Sequence, residues 1–353
     1  LLYFMQAMSN DLSKTEEELL ELRKSFETMR NYVLNFSYDK YGGYKLIKGN
    51  KTGFFHIEKI NGRFWFIDPD GYVFLSKGVN HVDYYGDYSP ALGYSPYNKV
   101  VSAKYGSPQA WAKETTERLR SWGFNTIGAW SSKELFSQGM PYTIILNFAA
   151  QAGANWQKGE VVDYFSERFQ NISDSIAKKI CLERKDDPYL IGYFTDNELR
   201  WCPDWRAPNH LFDDYMSLPS SSEGKKALVS YLHDKYKEIK LLNEKWGTSF
   251  SSFDEILNVA EAPKNNWVDL DRLGFLEVLS RKYFQVVHDA IRKYDKNHLI
   301  LGCRYAFKPP DEAIKGCIGY TDVISINAYT NPYNDDLGKV INCLLYTSPS
   351  PRD

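Results

Sequence analysis

Residues 192–201, "GYFTDNELRW", bring two carboxylic acids and an amide together directly after an apolar run. The apolar run has the composition of a buried strand, and Asp196, Asn197 and Glu198 follow it. A carboxylate at the end of a buried strand is a candidate for acid–base chemistry, because burial and neighbouring charges can bring the pKa of a carboxylic acid into the useful range. These three residues are therefore the first candidates for a functional site.

Each of the three polar residues also has a simpler alternative role. Glu198 could be a structural acid paired with Arg200 or Arg304, and Asn197 could only shape a turn. We expect Asp196 to support the site rather than to react. Because side chains alternate along a strand, Asn197 and Glu198 would point to opposite sides. Both can serve one site only if the strand is already bending there.

Apolar runs alternate with amphipathic segments along most of the chain, which predicts a sheet with helical connections. The best marked helix is 107–123, with Ser107 as N-cap, Pro108 at the first helical position and Gly123 at its end. Alternating strands and helices form right-handed crossovers and a parallel sheet. The predicted strands are 73–80, 124–130, 142–148, 189–194, 298–307 and 322–330, and the other predicted helices are 162–185, 224–248, 271–294 and 310–316.

Two α/β architectures fit this alternation. A doubly wound sheet usually has a glycine-rich first turn, which "SKGVNHVDYY" lacks. A (β/α)8 barrel collects functional groups at the carboxyl ends of its strands, and polar or aromatic residues stand at all six predicted ends. We therefore predict a (β/α)8 TIM barrel that is incomplete, with about six of its eight strands present. The strand-end residues are Asn80, His81, Trp130, Ser131, Asn147, Asn197, Glu198, Arg304, Tyr305, Asn327 and Tyr329.

The segments around the predicted barrel divide the chain into three parts. Residues 1–52 form an N-terminal helical segment, because apolar residues recur at helical spacing over 12–36. Residues 53–342 form the partial barrel domain, which begins with a β-meander at 53–76 whose turns are "NG" and "DPDG". The third part, residues 343–353, reads "CLLYTSPSPRD" and resembles translated adapter sequence from a metagenomic read. A native Pro/Ser linker is the alternative.

Composition limits the possible partners. Of 353 residues, 43% are hydrophobic and 25% charged with a net charge of -2, so we expect neither nucleic acid nor a membrane as partner. The oligomeric state cannot be read from the sequence. The five cysteines and six histidines show no metal-binding spacing, and we expect no metal or cofactor. Aromatic residues make up 16%, which fits either an aromatic-rich core or a surface on which sugar rings stack.

Glycoside hydrolysis would use the residues that these strand ends supply. It needs one carboxylic acid to protonate the leaving oxygen and a second carboxylate that attacks or activates water. Glu198 is the candidate acid. The loop 200–220 that follows it carries further aromatic residues and is predicted to form a subsite wall. The candidate substrate-binding residues are Asn197, Asn80, His81, Trp130, Trp201, Trp205, Arg304, Asn327 and Tyr329.

Several motifs resemble those of the clan A glycoside hydrolases. Asn-Glu at the end of a fourth strand is similar to the hallmark of that clan, and "GRFWFIDPDGYVFLSKGVNHV", "GYFTDNELRW" and "DVISINAY" are similar to the agarases of glycoside hydrolase family 50. The β-galactosidases of family 42 are more distantly similar. The resemblance covers about 53–342 and implies that Glu198 is the acid/base and that Asn197 binds the sugar 2-hydroxyl. It also implies a nucleophilic Glu on the seventh strand, which is absent from this chain.

The resemblance implies a retaining hydrolase of galactose-containing polysaccharide or oligosaccharide, with 53–342 as its catalytic domain. Without a seventh strand, we expect the chain as given to be inactive. A carbohydrate-binding barrel without catalysis is the alternative, and a metal-dependent barrel enzyme is disfavoured because only His81 among the histidines stands at a strand end. The chain starts with Leu, so localisation is hardly readable, with an extracellular or periplasmic place preferred to a cytoplasmic one.

Overall fold

The computed structural model describes residues 16–327, without the side chains of 16–18 and 30–36. A helix and a small antiparallel sheet come first, and the sheet contains the predicted meander. The elements are α1 (Glu16–Ser37), β1 (Tyr44–Lys48), β2 (His56–Ile60), β3 (Arg63–Ile67) and β4 (Tyr72–Phe74). The strand order is β1-β4-β3-β2, so β1, which lies outside the predicted meander, forms one edge of the sheet. A domain boundary at residue 53 leaves this strand out.

A second sheet is parallel, and its strands are neighbours in the order in which they occur along the chain. The backbone at 322–327 continues it, because Tyr305 N donates to Ser325 O at 2.8 Å and Asn327 N donates to Tyr305 O at 2.7 Å. The predicted parallel sheet is thus confirmed. Its strands are β5 (Gly78–Val79), β6 (Thr126–Ile127), β7 (Tyr142–Ile145), β8 (Leu190–Phe194) and β9 (Leu299–Ile300).

Two predicted elements are divided in the structure. The predicted strand 73–80 is wrong as a single strand, because its first residues belong to β4 and its last to β5, with exposed Leu75 in the link between the two sheets. The predicted helix 224–248 is two helices, because Lys237 adopts a left-handed conformation with a φ of 64° between them. A residue in this conformation ends a helix.

The helices pack against the parallel sheet and form the larger hydrophobic core with it. The predicted start of the helix before β6 is present, since Ser107 Oγ accepts a hydrogen bond from Ala110 N at 3.1 Å and Pro108 begins the helix. The helices are α2 (Pro96–Tyr105), α3 (Pro108–Ser121), α4 (Phe148–Gln151), α5 (Glu167–Arg184), α6 (Leu211–Met216), α7 (Glu223–Tyr236), α8 (Ile239–Trp246), α9 (Asn266–Tyr294) and α10 (Asp311–Cys317).

The small sheet covers the amino-terminal end of the parallel strands. Phe55 and Phe74 from the small sheet share a second core with Ile191 at the start of β8 and Leu299 at the start of β9. The opposite end of the parallel sheet, where Asn197 and Glu198 follow β8, is left to loops. Functional groups of parallel α/β sheets lie at this carboxyl end.

A buried ion pair closes the amino-terminal end of the sheet below α9. Asp295 Oδ2 accepts hydrogen bonds from Tyr193 Oη and His298 Nδ1, both at 2.7 Å, and Oδ1 accepts from two backbone amides. His298 Nε2 faces the carbonyl of Asp187 at 2.8 Å, so both ring nitrogens donate and the imidazole carries a positive charge. Burial acts to raise the pKa of Asp295, but the hydrogen bonds and charge of His298 outweigh it and hold the pKa below its ordinary value.

Asp68 lies fully buried in the turn between β3 and β4. Its Oδ1 accepts hydrogen bonds from the backbone amides of Asp70 at 2.9 Å and Tyr72 at 3.0 Å. Burial raises the pKa of Asp68 to about 7, and the neighbouring carboxylate of Asp39 adds to this effect. The native state therefore binds a proton that the unfolded chain has already released between about pH 4 and pH 7.

The Asp68→Asn variant tests this assignment. Native Asp68 holds its proton more tightly than the unfolded chain does, so this group makes the free energy of unfolding fall as pH rises from 4.5 to 7.5. Asn keeps the acceptor and does not titrate, so the variant should gain stability relative to the parent protein across this range. Chemical denaturation at both pH values measures it. The control is Asp70→Asn, because Lys51 and Lys40 lower the pKa of Asp70 and it should show no such gain. Equal pH dependence in the parent protein and the Asp68 variant would contradict the assignment.

Candidate active site

The backbone bends sharply at Glu198. This bend is what allows the adjacent side chains of Asn197 and Glu198 to face the same side. Strand β8 ends at Phe194, and Glu198 N donates to Arg304 O at 3.0 Å while Glu198 itself adopts a left-handed φ of 52°. Asn327 Nδ2 donates to Glu198 Oε1 at 2.8 Å and lies 3.3 Å from Asn197 Oδ1. One amide thus meets both side chains, so Asn197 and Glu198 face the same place despite being adjacent in sequence.

The orientation of the Asn327 amide follows from Arg304. Arg304 Nε donates to Asn327 Oδ1 at 3.3 Å, and a guanidinium has only donors, so the amide nitrogen must be the atom that faces Glu198. The same guanidinium lies 4.8 Å from the ring centroid of Trp130 and 5.1 Å from that of Phe194. Contacts therefore run continuously from Trp130 through Arg304 and Asn327 to the carboxyl group of Glu198.

Asp196 supports the end of β8 from beneath. Its carboxylate accepts hydrogen bonds from Ala149 N at 3.0 Å and Ala150 N at 3.4 Å, at the start of α4, and from Tyr283 Oη at 2.7 Å. Burial raises the pKa of Asp196 to about 7 in spite of these donors. Its contacts fasten the strand end to α4 and α9, which is the supporting position that we expected.

A left-handed residue other than glycine follows each of the five described strands of the parallel sheet. Such conformations are strained and concentrate at functional sites. Asn147 is one of them and lines the same pocket as Asn197 and Glu198, although the sequence marks it only as a strand end. The five residues and their φ values are His81 (57°), Trp130 (57°), Asn147 (54°), Glu198 (52°) and Arg304 (48°).

The two candidates after β5 differ in their contacts. Asn80 Oδ1 accepts a hydrogen bond from Ala129 N at 3.1 Å, which ties β5 to the end of β6. His81 is exposed, and its Nε2 lies 3.9 Å from Asp87 Oδ1. The structure therefore gives Asn80 a role in joining strands, while the ring of His81 remains accessible from solvent.

Trp201 does not line a subsite, and this prediction is wrong. Only 4% of its surface is exposed, and its ring stacks on Phe284 at a centroid distance of 5.8 Å. Tyr215, from the same predicted loop wall, is buried too and lies on α6. Trp205 differs, because 67% of its surface is exposed. The candidate Tyr329 lies outside the described residues.

Arg200 fastens the loop after Glu198 to neighbouring parts of the chain. Its Nε donates to Gly159 O at 2.7 Å, and its other nitrogens contact Asn209 O and the carboxylate of Asp214. One alternative role for Glu198 was to pair with Arg200. In the structure the carboxylate that pairs with Arg200 is that of Asp214. The resulting pocket combines Glu198 with amide, indole and guanidinium groups, and its lining includes Trp130, Asn147, Trp156, Asn197 and Arg206.

Among residues 16–327, no three His, Cys, Asp or Glu side chains lie together as metal ligands. None of the helices in this range combines the length and the apolarity needed to cross a bilayer.

A parallel α/β sheet with Asn-Glu at the end of its fourth strand, together with the sequence matches that follow, defines a clan A glycoside hydrolase. The sequence model of the glycoside hydrolase 42 family, described as beta-galactosidase, matches residues 148–342. The chain belongs to this family.

Two curated relatives are beta-agarases from Vibrio sp. (strain JT0107). Beta-agarase B is 28% identical over an alignment of 371 positions that covers 83% of this chain and 38% of the relative. Beta-agarase A is 26% identical over an alignment of 285 positions that covers 74% of this chain and 28% of the relative. The chain thus spans well under half the length of either one.

Solved structures share the fold. The crystal structure of an agarase superposes with a TM-score of 0.77 at 23% identity, covering 95% of this chain and 57% of the other. An exo-beta-agarase superposes with a TM-score of 0.76 at 23% identity, covering 94% of this chain and 57% of the other.

Proposed function

We propose that the protein is a retaining glycoside hydrolase that acts on galactose-containing polysaccharides or oligosaccharides, with Glu198 as general acid/base. The observation that carries the proposal is the Asn327 amide, which holds the carboxyl group of Glu198 beside Asn197 at the end of β8. The substrate class comes from the names of the relatives, beta-agarase and beta-galactosidase. We further propose that the parallel sheet is part of a (β/α)8 barrel.

The geometry suits an acid that must donate a proton and then recover one. Glu198 is 6% exposed, so bulk water has little access to its carboxyl group. The hydrogen bond from Asn327 to Oε1 fixes the plane of the carboxyl group, and a positioned acid protonates a leaving oxygen more efficiently than a mobile one. Asn197, on the same side, is then placed to bind a hydroxyl of the sugar that is cleaved, as the resemblance implies.

The second carboxylate of the reaction is assigned to no described residue. A retaining mechanism needs it about 5–5.5 Å from the first, across the sugar. The resemblance to clan A implies a nucleophile on a seventh strand, which would follow the sixth strand position at 322–327. The proposal therefore concerns the acid/base half of the site.

Product stereochemistry tests the proposal. The full-length gene product is incubated with agaro-oligosaccharides and with an aryl β-galactoside, and the anomeric proton of the first product is followed by NMR. Retention of configuration at the new reducing end is expected. Inversion would contradict the retaining mechanism, and binding without turnover would support the carbohydrate-binding alternative instead.

Trp205→Ala should weaken oligosaccharide binding by about three- to tenfold and leave monosaccharide binding nearly unchanged. An exposed indole at the edge of the pocket stacks only on sugar units remote from the cleaved bond, and aromatic stacking contributes about 0.5–1.5 kcal/mol. Calorimetry with galactose and with a series of agaro-oligosaccharides measures the difference.

Trp122→Ala is a matched control for Trp205→Ala. Trp122 is 64% exposed and lies beside Arg118, but it follows α3 at the amino-terminal end of the sheet. Its replacement should change neither affinity. Equal losses for galactose and oligosaccharide in the Trp205 variant would remove this residue from the proposed binding surface.

A further inference from the structure

Arg206 is buried between two exposed tryptophans. Its side chain is 2% exposed, whereas 48% of Trp156 and 67% of Trp205 are exposed. The guanidinium carbon lies 5.4 Å from the ring centroid of Trp156 and 4.8 Å from that of Trp205. The two indoles thus shield a positive charge from water at the edge of the pocket, an arrangement that strengthens cation–π attraction.

The nitrogens of the same guanidinium reach the backbone of the proposed acid. Nη1 of Arg206 donates to Glu198 O at 2.8 Å and lies 3.4 Å from Trp156 O. Nε and Nη2 donate to Asp204 Oδ2 at 3.0 and 2.6 Å, which holds the planar fork in place. Arg206 therefore links three parts of the chain: the loop after β8, the acid, and the turn that carries Trp156.

That turn is built to fit against Arg206. It is closed by two hydrogen bonds between Asn155 and Glu160, both at 3.0 Å. Gly159 within it has a left-handed φ of 64°, and a Cβ there would lie 3.0 Å from Cβ of Arg206 and 3.1 Å from Cδ of Arg200. A larger residue at this position would push against both arginines, so the close approach of the turn depends on glycine.

We propose that Arg206 is a positioning residue for Glu198, and that Trp156 and Trp205 make this positioning respond to the length of the bound sugar chain. The inference rests on the proposed function of Glu198. Glu198 is held in a strained left-handed conformation, and Arg206 binds its carbonyl oxygen, so this contact helps to keep the carboxyl group aimed at the site. A sugar chain that covers the two indoles would remove water from their outer faces, lower the local dielectric around the buried guanidinium and strengthen the contact.

The test compares two substrates in variants of Arg206. In Arg206→Gln, kcat on an agaro-oligosaccharide should fall by about ten- to a hundredfold, because a displaced catalytic group loses rate to that extent. The loss on an aryl galactoside with a good leaving group should be much smaller, since that substrate needs little protonation. Arg206→Lys keeps the charge but loses the fork, and should lose less than Gln.

A second variant disturbs the hydrogen bond between Arg206 and Glu198 O without removing either side chain. Gly159→Ala presses on Arg206 from the neighbouring turn and should give the same preference, with a larger loss on the oligosaccharide. The control is Arg272→Lys, since Arg272 is a partly buried arginine that pairs with Asp213 and Asp269 and does not line the pocket. It should leave the ratio of the two activities unchanged. Circular dichroism identifies any variant that does not fold.

Glu198→Gln in the same assay separates the two levels of the proposal. If Glu198→Gln loses no more on the oligosaccharide than on the aryl galactoside, the acid/base assignment itself fails. If Glu198→Gln behaves as an acid variant but the Arg206 and Gly159 variants lose equally on both substrates, or lose nothing, the positioning role of Arg206 is overturned.

Discussion

Glu198→Gln should lower kcat on an agaro-oligosaccharide by roughly 10²–10⁴-fold, the usual contribution of general acid catalysis, and leave substrate binding nearly intact. Gln has the size of Glu and still accepts the hydrogen bond from Asn327, but it has no proton to give to the leaving oxygen. A substrate with a very good leaving group does not need that proton for the first step. The loss on an aryl galactoside should therefore be smaller.

Initial rates of the full-length gene product on both substrates measure this difference. Glu277→Gln is the matched control, because Glu277 does not line the pocket and pairs with Arg281 at 3.3 Å on the exposed side of α9. Its replacement should change the rates little. Equal losses on the two substrates in the Glu198 variant would mean that Glu198 supports the fold of the site and is not its acid.

Asp295→Asn should reduce the free energy of unfolding by about 3–5 kcal/mol, as expected when one partner of a buried ion pair is removed. Asn cannot compensate the positive charge of His298, whose second nitrogen is already committed to Asp187 O. The variant would also lose some of the four hydrogen bonds that the Asp295 carboxylate accepts after the end of α9, one of which comes from Tyr193.

Urea denaturation at pH 7 measures this loss. The pKa of Asp295 is lowered in the folded protein, so its contribution is fully present above the unfolded pKa of about 3.9 and is lost as pH falls through the lower folded pKa. The control is Asp289→Asn, since Asp289 contacts His288 at 2.8 Å on the same helix but is 63% exposed. An exposed pair contributes at most about 1 kcal/mol. Similar losses in the two variants would contradict the ion-pair account.

The alternation of strands and helices was predictable because local signals agree with one another. Ser107 and Pro108 mark one helix start, and short apolar runs separate the helices, so the sequence carries the alternation directly. The division of 73–80 between two sheets was not predictable, because Leu75 continues the apolar run although it is exposed. Strand β1 pairs with β4 and not with β2, its neighbour in sequence, so no hairpin joins it to the meander.

The proposed acid of the site could be predicted from the sequence, but most of the contacts around it could not. Glu198 follows from its place at a strand end, but its left-handed backbone has no signal in the residue type. Trp201 packs against Phe284, which comes 83 positions later, so no local pattern shows that its ring turns inward. The stack on Arg206 likewise joins Trp156 to a loop 50 residues further along.

The five left-handed residues that follow β5 to β9 have a consequence for how the protein can change. Each such conformation in a residue with a side chain costs about 1 kcal/mol or more, and glycine would relieve it. Together they approach the lower end of the 5–15 kcal/mol that separates a typical folded domain from its unfolded chain. Glycine at Trp130 or Glu198 would, however, delete groups that line the pocket, and glycine at Arg304 would delete the guanidinium that orients Asn327. At these positions, a substitution that raises the stability of the fold is therefore expected to lower the activity of the site.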